Sequence, residues 1–316
     1  MTDIFIQRVK TAKEEKLFFD LPWSLYKSDS SWVPPLKLSL KEMYSKKHPF
    51  FQHADITYWL AYKENEIVGR IAAIINPRHN EYHDENCGFF GLFETIDDLN
   101  VSKKLFETVE QFFEKRGMDK IRGPVNPSTN YECGTLVSAP ENDPPQLMMT
   151  YNPKYHLDHF STHKFCKSMD LFAYKIPINF QMPEKIIRIG KRIEERSKIT
   201  FRNIDLKNWQ QEIEYIHDIY NSSWEKNWGF IPMDREEFMH MGQEMKNIIE
   251  PSMVFLAFDG ENPIGVIVTV PDFNQVFKEI PSGKLLPLGI FKLLRHKKYI
   301  KRARTIIMGV KSNYRK

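Results

Sequence analysis

ITYWLAYKENEIVGRIAAII, residues 56–75, sets two apolar runs, Thr57 to Tyr62 and Ile67 to Ile75, either side of the polar stretch Lys63-Glu64-Asn65-Glu66. Both runs are rich in β-branched and aromatic side chains, which suit a pleated, packed surface, so the stretch predicts a β-hairpin. A second stretch repeats the pattern. MVFLAFDGENPIGVIVTV, residues 253–270, places Met253 to Phe258 and Ile264 to Val270 around Asp259-Gly260-Glu261-Asn262. Two echoing hairpins in one chain call for a comparison of what surrounds each.

Around the first, IFIQRV (Ile4 to Val9) reads as a strand and is followed by helical material through Leu21 and a break at Pro34-Pro35. After it comes the strand CGFFGLFE, Cys87 to Glu94. Asp97 and Asp98 can then cap a helix that carries Val101, Leu105, Val109, Phe112 and Phe113 at helical spacing and ends at Gly117. PVNPSTNYECGTLV is too rich in Pro, Asn, Ser and Thr for a regular element, NPKYHLDHFSTHKF reads as a helix, and MDLFAYKI, residues 169–176, as a strand.

The order then restarts. A connecting helix from Glu184 to Ser197 precedes the strand ITFRNI, a helix from Trp209 to Trp224, the loop NWGFIP and a helix from the Asp234 cap to Ile249. The second hairpin follows, then a helical, basic insertion from Pro271 to Arg304, and a last apolar run, TIIMGV, that opens into KSNYRK. The economical account is a duplicated α/β (α+β) domain with mixed central sheets flanked by helices. Residues 1–176 form one copy and 177–316 the second, which is expected to be incomplete and to stop just after its fourth strand.

A length of 316 residues agrees with two domains, and 41% hydrophobic residues can fill two cores. No apolar run approaches the roughly 20 residues that span a bilayer, and the N-terminal MTDIFIQRVKTAKEE carries charge where a signal peptide needs an apolar stretch. A soluble, cytoplasmic protein is therefore expected. Cys87, Cys133 and Cys166 lie far apart and outside any CxxC arrangement, which argues against a disulfide framework or a thiolate zinc site. The charge is uneven. Residues 284–316 hold 11 Lys and Arg and no acid, leaving 34 bases against 41 acids, a balance of −7, in residues 1–283. A phosphate-bearing partner is steered to the basic end.

The order of elements resembles the GNAT superfamily of acyl-coenzyme A dependent N-acyltransferases and, more closely, its tandem-GNAT, N-acetyltransferase-like members. The resemblance rests on YWLAYKENEIVGRIAAIIN, GFFGLFETIDD, RGPVNPSTNYECG with the later YNPKY, NWGFIPM and IIMGVKSNYRK. It implies acyl transfer from acetyl-CoA or another acyl-CoA to a small-molecule amine, without a covalent enzyme intermediate and without a metal. In GNAT enzymes the backbone of the fourth strand binds the pantetheine arm. The following loop, of the type Arg/Gln-x-x-Gly-x-Gly/Ala, cradles the pyrophosphate. Met308, Gly309 and Val310 match the strand end, and Tyr314 and Arg315 the loop's opening, while the loop's glycines are not matched. In the first copy the corresponding loop reads TIDDLN, and Asp97 and Asp98 would repel phosphates, so that copy is expected not to bind coenzyme A.

For the base that takes the amine proton, Glu225 and Asp272 are the candidates, set against a solvated loop acid and a turn or helix cap respectively. Trp224, Asn227 and Trp228, with Phe230, form an aromatic and polar cluster that lines an acceptor pocket or else packs a core. Asn126 and Asn130, with Ser128 and Glu132, offer polar groups on an irregular loop or simply make its turns. His156, His159 and His163 fall at helical spacing, and His79, Glu81, His83 and Asp84 crowd one loop, but neither group forms a recognised ligand signature, and no metal is expected. Within 284–304, Leu285, Leu286, Ile290, Phe291, Leu293 and Leu294 alternate with bases, a pattern for peripheral contact with anionic lipid, for covering an acyl chain, or for a helix with a solvated basic face. Nucleic acid is disfavoured because no binding motif accompanies the charge. A non-catalytic binding protein for a lipid-like or other partner is the alternative to the enzyme; the oligomeric state is not encoded in any pattern here.

Overall fold

The computed structural model describes residues 3–315, apart from the side chain of Arg196. It divides into two compact units: Met1–Lys167 with Asp272–Ile300, and Ser168–Pro271 with Lys301–Lys316. The chain therefore passes between the units after residues 167, 271 and 300. No helix among the described residues is long and apolar enough to cross a membrane.

The first unit is built on five strands in the order β1 (Ile4–Arg8), β2 (Asp55–Lys63), β3 (Glu66–Ile75), β4 (Cys87–Thr95) and β5 (Lys120–Arg122). β1 to β4 pair antiparallel, and β5 joins β4 in parallel. The hairpin forms as the sequence predicts. Lys63 pairs with Glu66 across Glu64 and Asn65, whose φ values of 53° and 66° give the left-handed pair that matches strand twist in a two-residue turn. Helices α1 (Ala12–Leu25), α2 (Lys37–Met43), α3 (Pro77–His83) and α4 (Leu99–Glu114) surround the sheet. Thr11 and Glu14 start α1 with a capping box, and Asp98 caps α4 by accepting from Asn100 N. Val101, Leu105, Val109 and Phe113 of α4 bury one face of the sheet, against Trp59, Ile71, Ala73 and Phe90. On the other face Phe18 of α1 packs on Leu60 and Ala72. Both faces of β3 are thus covered, which is why its sequence is nearly continuous in apolar residues. Two short strands, β6 (Val125–Asn126) and β7 (Glu132–Cys133), and α5 (Tyr155–Thr162) follow.

The second unit contains α6 (Glu184–Arg196), β8 (Ile199–Asn203), α7 (Trp209–Trp224), α8 (Arg235–Met245), β9 (Val254–Asp259) and β10 (Asn262–Pro271). After the excursion of 272–300 the chain returns as β11 (Ala303–Val310). The antiparallel order is β11-β10-β9-β8, so β11 is an edge strand among the described residues. Val254, Leu256, Val266 and Val268 are buried on the face that carries α7. On the opposite face Phe201, Phe255, Met308 and Val310 are exposed.

Two expected elements differ. MDLFAYKI forms no strand: residues 169–176 have no ladder partner, and their side chains are exposed. The insertion is not one long helix. Pro281, Gly283 and Pro287 interrupt it, leaving α9 (Asn274–Phe277), α10 (Gly289–Leu294) and a 3-10 turn at His296–Lys298.

Candidate functional site

In the second unit the structure brings together the end of β11, the end of α7 and the turn at 311–315. Gly309 faces α7 so closely that an added Cβ would lie 3.0 Å from Ser223 Cβ. Lys311 N donates to Ile264 O at 2.9 Å, so by strand alternation Met308 and Val310 present their carbonyls on the side away from β10. Those carbonyls are already engaged. Trp224 Nε1 donates to Met308 O at 3.4 Å, and Arg315 Nε to Val310 O at 2.6 Å. Arg315 also donates to Ser223 O at the end of α7, where a cation complements the helix dipole. Lys311 pairs with Asp218, and Tyr314 donates to Asp259 Oδ2 at 2.9 Å. The predicted strand-end and loop residues therefore form one cluster with Trp224, a basic turn beside a strand that has one ladder partner among the described residues.

The other candidates in this unit divide. Asn227 is exposed and closes the turn after α7 by donating its N–H to Trp224 O at 2.8 Å, and Glu225 beside it is exposed. Trp228 is half-buried. Phe230 and Phe238 are buried and each packs its ring at a tilt on buried Tyr220, with Trp224 4.5 Å from Tyr220, so this part of the aromatic cluster is core. Asp272 belongs to the other unit. It is fully buried and accepts from Leu147 N at 2.9 Å and Asn274 N at 3.3 Å, the geometry of a buried turn anchor.

In the first unit Asn126 has a structural task. β4 bulges opposite Arg70 and Ala72, and Leu92 there adopts φ 48°, strained for a branched side chain. Asn126 Oδ1 accepts from the displaced Leu92 N at 2.7 Å, and its Nδ2 donates to Glu132 Oε1 at 3.1 Å. Asn130 N donates to Ser128 Oγ at 3.2 Å within a turn.

Sequence reasoning missed a buried polar cluster next to that bulge. Glu94 of β4 accepts from Tyr26 Oη at 2.6 Å and lies 3.8 Å from the Arg70 guanidinium. Arg70 is buried too, donates to Phe18 O at 2.9 Å and sits over the Phe18 ring. Burial pushes the Glu94 carboxyl up to about 7, opposed by Arg70 and the Tyr26 hydrogen bond and reinforced by Glu132. Burial also raises the Tyr26, Tyr44 and Tyr58 phenols. Arg70 Nε and Tyr58 Oη are buried without a hydrogen-bond partner. A carboxyl that titrates near neutrality can take or give a proton at physiological pH. The signal was a lone arginine inside the apolar run VGRIAA.

The histidines are packed into the first unit. His156 is buried against Phe93, and burial together with His159 pushes it down to about 3. His159 lies 3.4 Å from Asp97, and His163 3.0 Å from Ser102 Oγ. His79 lies 2.8 Å from Glu85 Oε1. Burial raises Glu85, but hydrogen bonds from Arg122 and His79 outweigh it and hold the carboxyl at about 2.

No family profile matches this sequence. The chain is 33% identical over 305 residues to protein YghO of Escherichia coli, a match covering 95% of this chain and 76% of that protein. It is 34% identical over 319 residues to the bacterial ceramide synthase of Caulobacter vibrioides, covering 99% of this chain and 82% of that one. Among solved structures, a tandem GNAT protein from the clavulanic acid biosynthesis pathway aligns with 99% of this chain and 81% of its own at a TM-score of 0.51 and 8% identity.

Proposed function

The chain belongs to the family of protein YghO and the bacterial ceramide synthase, on a tandem GNAT fold, and from that premise we propose that it is an acyl-coenzyme A dependent N-acyltransferase. The observation that carries the reading is the 34% identity with the ceramide synthase across nearly the whole chain. A ceramide is an N-acylated long-chain amino alcohol, so the proposed acceptor is a lipid-like amine and the proposed donor a long-chain acyl-CoA. The neutral amine nitrogen attacks the thioester carbon, the C–N bond forms, the C–S bond breaks, and coenzyme A leaves as the thiol while a base takes the amine proton.

We assign the thioester substrate to the side of β11 that faces away from β10. Backbone groups of Met308 and Val310, either side of Gly309, whose own backbone groups face β10, would receive the pantetheine arm once Trp224 and Arg315 release the Met308 and Val310 carbonyls. Tyr314 and Arg315, with Lys311, would face the phosphates. Glu225, exposed beside Trp224, Asn227 and Trp228, is the base assigned within this unit; Asp272 positions the segment it anchors.

Incubating the purified protein with palmitoyl- or acetyl-CoA and a long-chain amino alcohol, and following thiol release and amide mass, tests the proposal. Thiol release that requires both substrates is expected. Micromolar acyl-CoA binding without turnover would overturn the enzyme reading in favour of a binding protein. Glu225→Gln is expected to abolish thiol release while leaving acyl-CoA binding intact; unchanged turnover would remove Glu225 as the base.

A further inference from the structure

Between the third and fourth strands of the second copy, the chain folds back as part of the first unit and presents an unusual surface. From Ile280 to Arg304 there is no acidic residue, and Lys284, Arg295, Lys297 and Lys298 are exposed. Large apolar side chains share this surface: Leu286 is 75% exposed, Leu288 71%, Phe291 55% and Leu294 71%.

The base of this stretch is firmly built. Trp23 Nε1 donates to Pro281 O at 3.0 Å, and Lys37 N to Gly283 O at 2.9 Å. Gly283 has φ 65°, and a Cβ on it would lie 2.6 Å from Pro35 O, so only glycine fits this anchor. Ile280 and Gly289 are buried, and Lys292 Nζ donates to Glu279 O. An anchored base below an apolar tip holds Leu286, Leu288, Phe291 and Leu294 outward.

We propose that Lys284–Ile300 docks the protein on a bilayer surface rich in anionic phospholipid. The four apolar side chains enter the boundary between headgroups and acyl chains, and the ring of Lys and Arg meets the phosphates. Charge selects this occupant. A second copy would bring two acid-free basic surfaces together, which repel, and a nucleic acid would leave four large apolar side chains in water. The inference goes beyond the acyl-transfer reading and does not rest on it, since docking is measured without catalysis.

The test is flotation of the full chain with phosphatidylcholine vesicles and with vesicles carrying 30 mol% phosphatidylglycerol, a composition in the anionic range to which clustered bases respond. Binding to the anionic vesicles that weakens with salt is expected. Lys297→Glu/Lys298→Glu should lower partitioning at least tenfold, because each reversal removes an attraction to the anionic surface and adds a repulsion. Both side chains are exposed, so circular dichroism and Tm should match the parent. Phe291→Trp supplies a second readout: its emission should shift to the blue on vesicle addition and be quenched by brominated acyl chains. Absent binding to anionic vesicles, or binding that neither the charge reversal nor Leu288→Asp/Phe291→Asp reduces, would overturn the proposal. So would a size-exclusion shift from dimer to monomer in Leu288→Asp/Phe291→Asp with vesicle binding unchanged, which would make this face an interface between copies.

Discussion

β4 and β11 hold the same place in the two copies of the fold, each pairing with the second strand of its hairpin, yet their surroundings are opposite. β4 is paired on both sides and covered by α4, and the loop after it ends in Asp98, which caps α4 and is bound by Lys63. Among the described residues β11 is paired on one side, exposes Met308 and Val310, and runs into Lys311 and Arg315. The two strands thus share a topological place and differ in what lies beside them among the described residues, a helix and a further strand at β4 and a basic turn at β11. Side chains, not a neighbouring strand, meet the outward carbonyls of β11: Trp224 donates to Met308 O and Arg315 to Val310 O.

The sharpest way to break this comparison is to crowd each strand at its glycine. A Cβ on Gly91 would lie 1.9 Å from Val125 O, a backbone atom held by the β6 pairing, so Gly91→Ala is expected to cost about 3 kcal/mol or more. On Gly309 the contact is 3.0 Å from Ser223 Cβ, on an edge strand that can shift, and Gly309→Ala should cost about 1 kcal/mol. Urea unfolding of both variants decides it. Equal losses would mean that the edge strand is as confined as the central one.

The first copy should also carry a pH signature that the second lacks. In the unfolded chain a glutamate titrates near 4.5, whereas folded Glu94 titrates near 7. Between those values the folded state holds the proton that the unfolded state has released, so stability falls as pH rises. The full effect, present above pH 7, is about 3 kcal/mol. Glu94→Gln should lose this decline, read as the difference between parent and variant in denaturant midpoints at pH 5 and pH 8. His156, pushed down to about 3, acts in the opposite sense over part of the window, but it is common to both proteins and cancels in that difference. Parallel pH curves would remove Glu94 as a neutral-range titrating group.

How far these contrasts can be read from sequence depends on whether the determinant is local. The Glu64-Asn65 turn, the Thr57 to Tyr62 run, the α4 periodicity and the Asp98 cap are set by residues a few positions apart, and each appears where its pattern places it. β-propensity says nothing about pairing, so MDLFAYKI was expected to be a strand although no ladder forms there. The insertion reads as a helix because its apolar and basic residues alternate, but Pro281 and Pro287 cut it. The Tyr26–Arg70–Glu94 cluster joins three elements distant in sequence, and only the misplaced arginine hints at it. The resemblance nominated the β11 residues as candidates; that Trp224 and Arg315 cap the Met308 and Val310 carbonyls could not be read from it, because both contacts depend on side-chain placement.

Charge in the two loops offers a third contrast. Arg315→Glu reverses the charge beside Val310 O, and acyl-CoA affinity by calorimetry is expected to fall at least tenfold, about 1.4 kcal/mol. Asp98→Ala in the first copy should leave that affinity within twofold while lowering stability by about 1 kcal/mol through loss of the helix cap. If instead Asp98→Ala weakens binding and Arg315→Glu does not, the thioester site has been assigned to the wrong copy.

The smallest effect concerns the indole beside β11. Trp224 Nε1 reaches Met308 O at 3.4 Å, a long hydrogen bond to a residue that is 67% exposed. Water can replace a donor at an exposed carbonyl, so removing this one should cost well under the penalty of an unsatisfied buried group. Trp224→Phe keeps the stacking on Tyr220 and loses only the N–H. Its stability is expected to fall by less than about 1 kcal/mol, and acyl-CoA binding should hold or tighten, because one competitor for the Met308 carbonyl is gone. A loss above about 2 kcal/mol would show that the carbonyl is shielded from water, in which case β11 is as enclosed as β4 and the contrast between them fails.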